Sequence, residues 1–187
     1  MKTIKLNMAG LFLVLGLLLI SSYSNAQDLK LTRKERKEVR KAQMNANFHI
    51  LDSLLNARSF VLEADFLQDK YGMRVPVISN VNFIRVDQFK SVLQTGTGTG
   101  FGYNGVGGVT AEGKINSWNI HKNAKELSYT LRFTVMTQIG TYDVLMTVNS
   151  ENNASAIVTG LWPGKLTWVG HLYTLNNSRV FKGQNTI

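Results

Sequence analysis

The sequence predicts a mainly β protein: an antiparallel meander barrel or strongly curled sheet with an N-terminal α-helix packed on it. Three observations lead there. Apolar periodicity changes from about 3.6 to 2 at Ser59, as it does where helix gives way to sheet. From that point alternating runs follow one another across short connections rich in turn-forming residues, and short connections favour antiparallel neighbours. Closing the sheet removes exposed edges, which makes a barrel or curled sheet the leading arrangement and a flat two-sheet sandwich the alternative.

Residues 1–26 read as a cleavable export leader. Lys2 and Lys5 give the positive end, Met8 to Ile20 an uncharged apolar run, and Ser24 and Ala26 the small side chains that a signal peptidase pocket admits, which places the cut before Gln27. The run is short of the roughly 20 residues a helix needs to cross the hydrocarbon core, and nothing later in the chain is apolar enough, so no transmembrane span is expected after cleavage. The chain has no cysteine, which excludes a disulfide framework, a thiolate nucleophile and an acylated-cysteine anchor. Export to the periplasm or beyond is the expected localisation.

Residues 27–57 form the second segment, a basic helix that becomes amphipathic. Lys, Arg, Glu, Gln, Ala and Leu dominate, no Gly or Pro occurs between Gln27 and Gly72, and Thr32 with Glu35 has the spacing of a capping box. Removing Lys2 and Lys5 with the leader lowers the formal charge from +9 to +7, and seven basic against three acidic residues between Asp28 and Lys41 concentrate it here. Arg33, Lys34, Arg36, Lys37, Arg40 and Lys41 are the candidate contacts to an anionic membrane surface, set against a simply solvated leader. Export argues against nucleic acid as the partner. Val39, Ala42, Ala46, Ile50, Leu51, Leu54 and Leu55 are the expected docking stripe.

The third segment, residues 58–187, carries the strands. Phe60, Leu62, Ala64 and Phe66 alternate with Val61, Glu63 and Asp65. Strands are expected at Val81–Asp87, Phe89–Gln94 and Val109–His121. Leu127, Tyr129, Leu131, Phe133 and Val135 give the clearest inward face, and Tyr142 to Val148 return beyond Gly140 as a hairpin. Ser150 to Asn153 and Pro163-Gly164 mark the turns that set off Ala154–Gly160 and Lys165–Tyr173.

Two stretches, Gly100 to Gly113 and Phe133 to Val148, resemble domain of unknown function 4251, a family of exported Bacteroidetes proteins. Asn82-Phe83 and the Gly-Lys-Leu-Thr of Gly164 to Thr167 follow in matching order, and the likeness spans residues from about 45 to 173. It implies a lipocalin-like barrel outside the cytoplasm. The family brings no catalytic residues to carry over.

Candidate chemistry is sparse. Gly100, Gly102 and Gly105 satisfy a G-x-G-x-x-G spacing, but a dinucleotide loop must open a helix and here Val109 begins a strand. The glycines suit a bulged strand or flexible connection, or a mobile flap over a barrel mouth with Phe101 and Tyr103 as its contact groups. His49, His121 and His171 lack metal-ligand spacing, Glu63 and Asp65 share the polar face of one strand, and no G-x-S-x-G elbow exists. No catalytic residue, metal site or cofactor is therefore assigned.

Trp118, Trp162, Trp168, Tyr129, Tyr142 and Tyr173 line a cavity if they face inward, or fill a solid core. The candidate ligand contacts are Phe101, Tyr103, Tyr129, Tyr142 and Trp168. The leading expectation is a non-enzymatic envelope protein binding a small apolar or amphipathic molecule. A structural or protein-interaction component of the envelope and an unrecognised hydrolase are the alternatives.

Overall fold

The structure, a computed structural model, describes residues 32–138, 140–160 and 164–186. The expected leader lies outside the described residues. The chain divides into two units, Met1–Glu38 and Val39–Ile187. In the first, the described residues open helix α1 (Arg33–Asn56) through the expected capping box: Thr32 N–H donates to Glu35 Oε2 at 2.7 Å, and Glu35 N–H donates to Thr32 Oγ1 at 3.3 Å.

The second unit is a nine-stranded antiparallel sheet. Its strands are β1 (Ser59–Gln68), β2 (Arg74–Pro76), β3 (Phe83–Asp87), β4 (Lys90–Thr95), β5 (Val109–Asn123), β6 (Ser128–Thr137), β7 (Gly140–Asn149), β8 (Asn153–Thr159) and β9 (Lys165–Tyr173). Pairing of β1 with β9 closes eight strands into a barrel, and β2 adds a short ninth on β1, where Phe66 faces Pro76. Meander order puts the β4–β5, β6–β7 and β8–β9 connections at one end, called here the open end. The β3–β4, β5–β6 and β7–β8 turns lie at the other, the helix end.

Alternation explains most of the interior. Tyr129, Leu131, Phe133 and Val135 of β6 and Val144, Met146 and Val148 of β7 are buried as their period of two requires. The helix docks differently from expectation: Phe48, Leu51 and Leu55 are buried, while Val39 and Ile50 are exposed. The steps of three and four between the buried positions trace one helical face, and the ring of Phe48 stacks on Tyr129 at 4.8 Å. Helix packing closes a gap at this end, because β5 beyond the bulge between Ile115 and Ser117 pairs with β6 alone. Asp52 on α1 accepts from Tyr129 Oη at 2.7 Å and from Lys122 Nζ at 3.0 Å, and Trp118 packs on Phe133 at 5.1 Å.

Strand β1 departs from the expected pattern. A bulge between Ala64 and Phe66 turns Phe66 outward, where the guanidinium of Arg74 sits 4.1 Å from its ring. Gly170 makes the bulge possible, since a Cβ there would collide with the Glu63 carbonyl. Val61, expected on the solvated face, is buried with Phe83 and Val92 on the outside of the barrel against Leu175 and Val180. These last two belong to the C-terminal segment beyond β9, which straps the outer wall. Ser178 Oγ donates to Glu63 Oε1 at 2.7 Å, Phe181 N–H to Asn80 O at 2.8 Å and Thr186 N–H to Thr110 O at 2.9 Å.

The strap is held from beneath by Gln94, a fully buried amide whose four hydrogen bonds are all internal. Its Nε2 donates to Val81 O at 3.1 Å and Phe181 O at 2.9 Å, while its Oε1 accepts from Thr110 Oγ1 at 2.9 Å and Gly183 N–H at 2.8 Å. Such an amide can be buried because each lone pair and proton has a partner.

Candidate functional site: a cavity at the open end of the barrel

The barrel interior is solid core at the helix end and a cavity at the open end. The cavity has a volume of about 510 Å³ and is walled by inward residues near the open ends of β4, β5, β7, β8 and β9, among them Leu93, Val109, Ala111, Val158 and Leu166. That volume falls within the ~300–1,000 Å³ of small-molecule sites.

Two aromatics shape it. Trp168 is 4 % exposed, and its indole N–H donates to Gln94 O at 3.2 Å, which fixes the ring plane. Tyr142 stands half-buried on β7, and burial pushes its phenol above the ordinary value, so the hydroxyl stays protonated and able to donate at neutral pH. Gly160 seats that ring: a Cβ there would stand 2.5 Å from Tyr142 Cδ1. Thr95 adds a hydroxyl. Among the described lining residues the only charged side chain is Lys165, exposed at the first residue of β9.

The Gly-rich connection from Gly96 to Gly108 leads from one cavity wall to the next. Asn104, buried at its centre, donates from Nδ2 to Thr95 O at 3.1 Å and Thr110 Oγ1 at 3.0 Å, and accepts at Oδ1 from Val106 N–H at 3.1 Å and Gly108 N–H at 2.9 Å. Asn82 clamps its start, accepting from Gly96 N–H at 3.0 Å and donating to Gly96 O at 2.7 Å. Glycine is required at Gly107, whose φ is +81°. The connection is therefore an anchored loop, and this corrects the expectation of a flap closing on the mouth: Phe101 and Tyr103 are 82 % and 89 % exposed, and neither lines the cavity.

Of the five expected ligand contacts, Tyr142 and Trp168 line the cavity. Tyr129 does not, because β6 carries it to the helix end, where burial and then its hydrogen bond to Asp52 push its phenol up. The same bond, followed by that from Lys122, holds the Asp52 carboxyl below its ordinary range. Trp118 lies on the half of β5 that extends toward the helix end, and Trp162 is outside the described residues.

The basic residues divide. Arg33, Lys34, Arg36, Lys37 and Lys41 are exposed, while Arg40 is engaged in an ion pair with Glu151 of the β7–β8 turn. Glu63 holds the strap and Asp65 lies 3.5 Å from His171 Nε2, so these carboxylates serve separate contacts. His171 also contacts Asn152 O at 2.9 Å through Nδ1. Among the described residues no three His, Asp or Glu side chains gather as metal ligands, and no helix is long and apolar enough to cross a membrane.

The aliphatic wall was not singled out in the sequence. Leu93, Val109, Ala111, Val158 and Leu166 look like any strand core residue. What they share is a place at or near the open end of a strand, where fewer partners remain to fill the interior.

The family model for "Domain of unknown function (DUF4251)" matches residues 41–172. A crystal structure of a DUF4251 family protein from Bacteroides eggerthii is similar with a TM-score of 0.61 and 28 % identity, over 73 % of this chain and 93 % of that one. No curated protein matches the chain.

Proposed function

The chain belongs to the DUF4251 family, and on that premise we propose that it is an exported, non-enzymatic envelope protein that holds a small apolar or amphipathic molecule in the open end of its barrel. The observation that carries the reading is the cavity itself: an apolar wall, one buried indole fixed by a hydrogen bond, one phenol able to donate, and, among the described lining residues, charge confined to Lys165 at the mouth. Burying an apolar chain against such walls is worth about 25 cal/mol per Å² removed from water, whereas an ionic ligand would lose hydration with no buried partner in return. Hence the amphipathic class, with its polar end at the mouth.

The same lining weighs against the hydrolase reading. Hydrolysis most often uses a carboxylate or imidazole as its general acid or base, and the described lining residues include no Asp, Glu or His; their polar side chains are Thr95, Tyr142 and Lys165. Export rests on the leader pattern of Lys2, Lys5, Met8 to Ile20 and Ala26, and cysteine-free composition suits a barrel stabilised by its core alone.

Titration of the chain from Gln27 with an apolar fluorophore tests the binding reading. Saturable emission enhancement is expected, and Val109→Trp, which adds bulk at the half-exposed mouth without touching the core, should abolish it. Equal enhancement in both proteins would mean that the fluorophore sits elsewhere and would sink the cavity reading.

A further inference from the structure

We propose that the open end of the barrel is a lipid-docking face, with Tyr71, Met73, Phe101 and Tyr103 entering the headgroup layer of an anionic membrane and Lys70 and Lys165 meeting its phosphates. The proposal rests on the cavity reading in one respect: the mouth would then face the phase from which an amphipathic ligand comes. The residues of that face stand there independently of any ligand.

Two structures rise beside the mouth. One is the β1–β2 hairpin, whose Tyr71 and Met73 are 84 % and 66 % exposed, and the other is the Gly-rich loop with Phe101 and Tyr103. They are joined through Ile78, whose Cδ1 lies 2.9 Å from where a Cβ on Gly98 would stand. Each is held rigidly. The hairpin turn is tied by Asp69, whose Oδ1 accepts from Tyr71 N–H at 2.9 Å and Met73 N–H at 2.8 Å, and the loop is tied by the four bonds of Asn104. A fold that saturates a buried amide in order to present two solvent-exposed aromatics gains no core from them. Exposed apolar groups collected at one place mark an interaction surface.

Charge selects the occupant. From Gly96 to Gly108 there is no charged residue, so nothing in the loop opposes entry into a headgroup layer. Beside the mouth stand Lys70 in the hairpin turn and Lys165 at the start of β9, two cations against the one carboxylate of Asp69, while the guanidinium of Arg74 is turned onto Phe66 on the outer wall. Lys70 Nζ lies 5.0 Å from the Tyr71 ring, so aromatic and cation are presented together. Aromatic rings with a polar handle beside basic side chains that reach outward are the composition of a membrane interface, and each Lys or Arg near an anionic surface adds to attraction.

The test uses the chain from Gln27, which retains every described strand, helix and strap residue. Because the chain lacks cysteine, Phe101→Cys gives a unique site for an environment-sensitive dye, and Glu126→Cys in the β5–β6 turn gives the same dye at the helix end. With vesicles of phosphatidylcholine and phosphatidylglycerol the dye at position 101 should shift to the blue and be quenched by a lipid-borne quencher, while that at 126 should not. Lys70→Gln and Lys165→Gln should each lower the vesicle partition coefficient about fivefold, and Tyr71→Ser with Tyr103→Ser should remove most of the rest, all without changing the melting temperature. A shift at 126 instead of 101, or partition that these substitutions leave unchanged, would overturn the proposal. The two readings separate cleanly: fluorophore uptake without vesicle binding rejects the docking face and keeps the cavity, and vesicle binding without uptake does the reverse.

Discussion

Asn104→Ala should destabilise the barrel far more than a loop substitution ordinarily does. The side chain makes four hydrogen bonds, of which those to Thr110 Oγ1 and from Val106 N–H are buried and those to Thr95 O and from Gly108 N–H partly so. At about 1 kcal/mol net for each bond, with a further penalty where a buried donor is left without a partner, the loss is about 4 kcal/mol, reduced where water reaches the two outer groups. For a domain of this size 1 kcal/mol corresponds to about 2–4 °C, so the melting temperature should fall by roughly 10 °C. Urea unfolding followed by circular dichroism, with thermal melting alongside, measures both quantities. Limited proteolysis should then cut near Phe101 in the variant and spare the wild type. A loss below about 1 kcal/mol would show that the Gly-rich loop does not depend on this amide, and the case for rigidly presented aromatics would go with it.

Other consequences follow from the same structure. Gln94→Leu removes the polar anchor of the strap, so amide hydrogen exchange at Phe181 and Gly183 should accelerate while the β6–β7 core stays protected; unchanged exchange would contradict the anchoring role. Gly160→Val pushes the Tyr142 ring and should weaken fluorophore binding about tenfold, or ~1.4 kcal/mol, measured by titration. Asp52 and Glu112 are held below the ordinary carboxylate range, the first chiefly by Tyr129 and the second chiefly by Lys182, so the unfolded chain binds more protons as pH falls toward and below 4. Their stabilisation is present above the unfolded carboxylate pKa and is lost as pH drops through the folded one. Melting temperature should accordingly fall more steeply between pH 5 and 3 in the wild type than in Asp52→Asn with Glu112→Gln, and parallel curves would refute it.

Most of the barrel was legible because period-two alternation is a local property. In β6 and β7, every other residue from Tyr129 to Val135 and from Val144 to Val148 is buried, as the sequence requires. The helix start was equally legible, since a capping box involves residues three apart. What was hidden depends on distant chain. Phe66 is displaced by a bulge whose cause, Gly170, lies on β9. Val61 is buried by a strap that has no periodicity of its own. The short β2, ending at Pro76 and exposed at all three residues, carries no alternation to detect.

The site was legible in part for a related reason. Tyr142 and Trp168 were found because aromatics on inward strand positions are conspicuous, but alternation reports which face a residue takes and says nothing of depth along the barrel. Tyr129 faces inward as firmly as Tyr142, and only strand register puts it at the opposite end. Phe101 and Tyr103 sat next to glycines that suggested mobility, whereas Asn104, directly after Tyr103, fixes the loop through partners on both flanking strands.

Native mass spectrometry of the protein purified gently from its own host tests the binding claim most directly. An additional mass that leaves on activation in the wild type and is missing from Val109→Trp is the expected result, and fragmentation of the released species should identify an amphipathic molecule. A bare mass for wild type and variant alike, from material that remains folded, would contradict the claim.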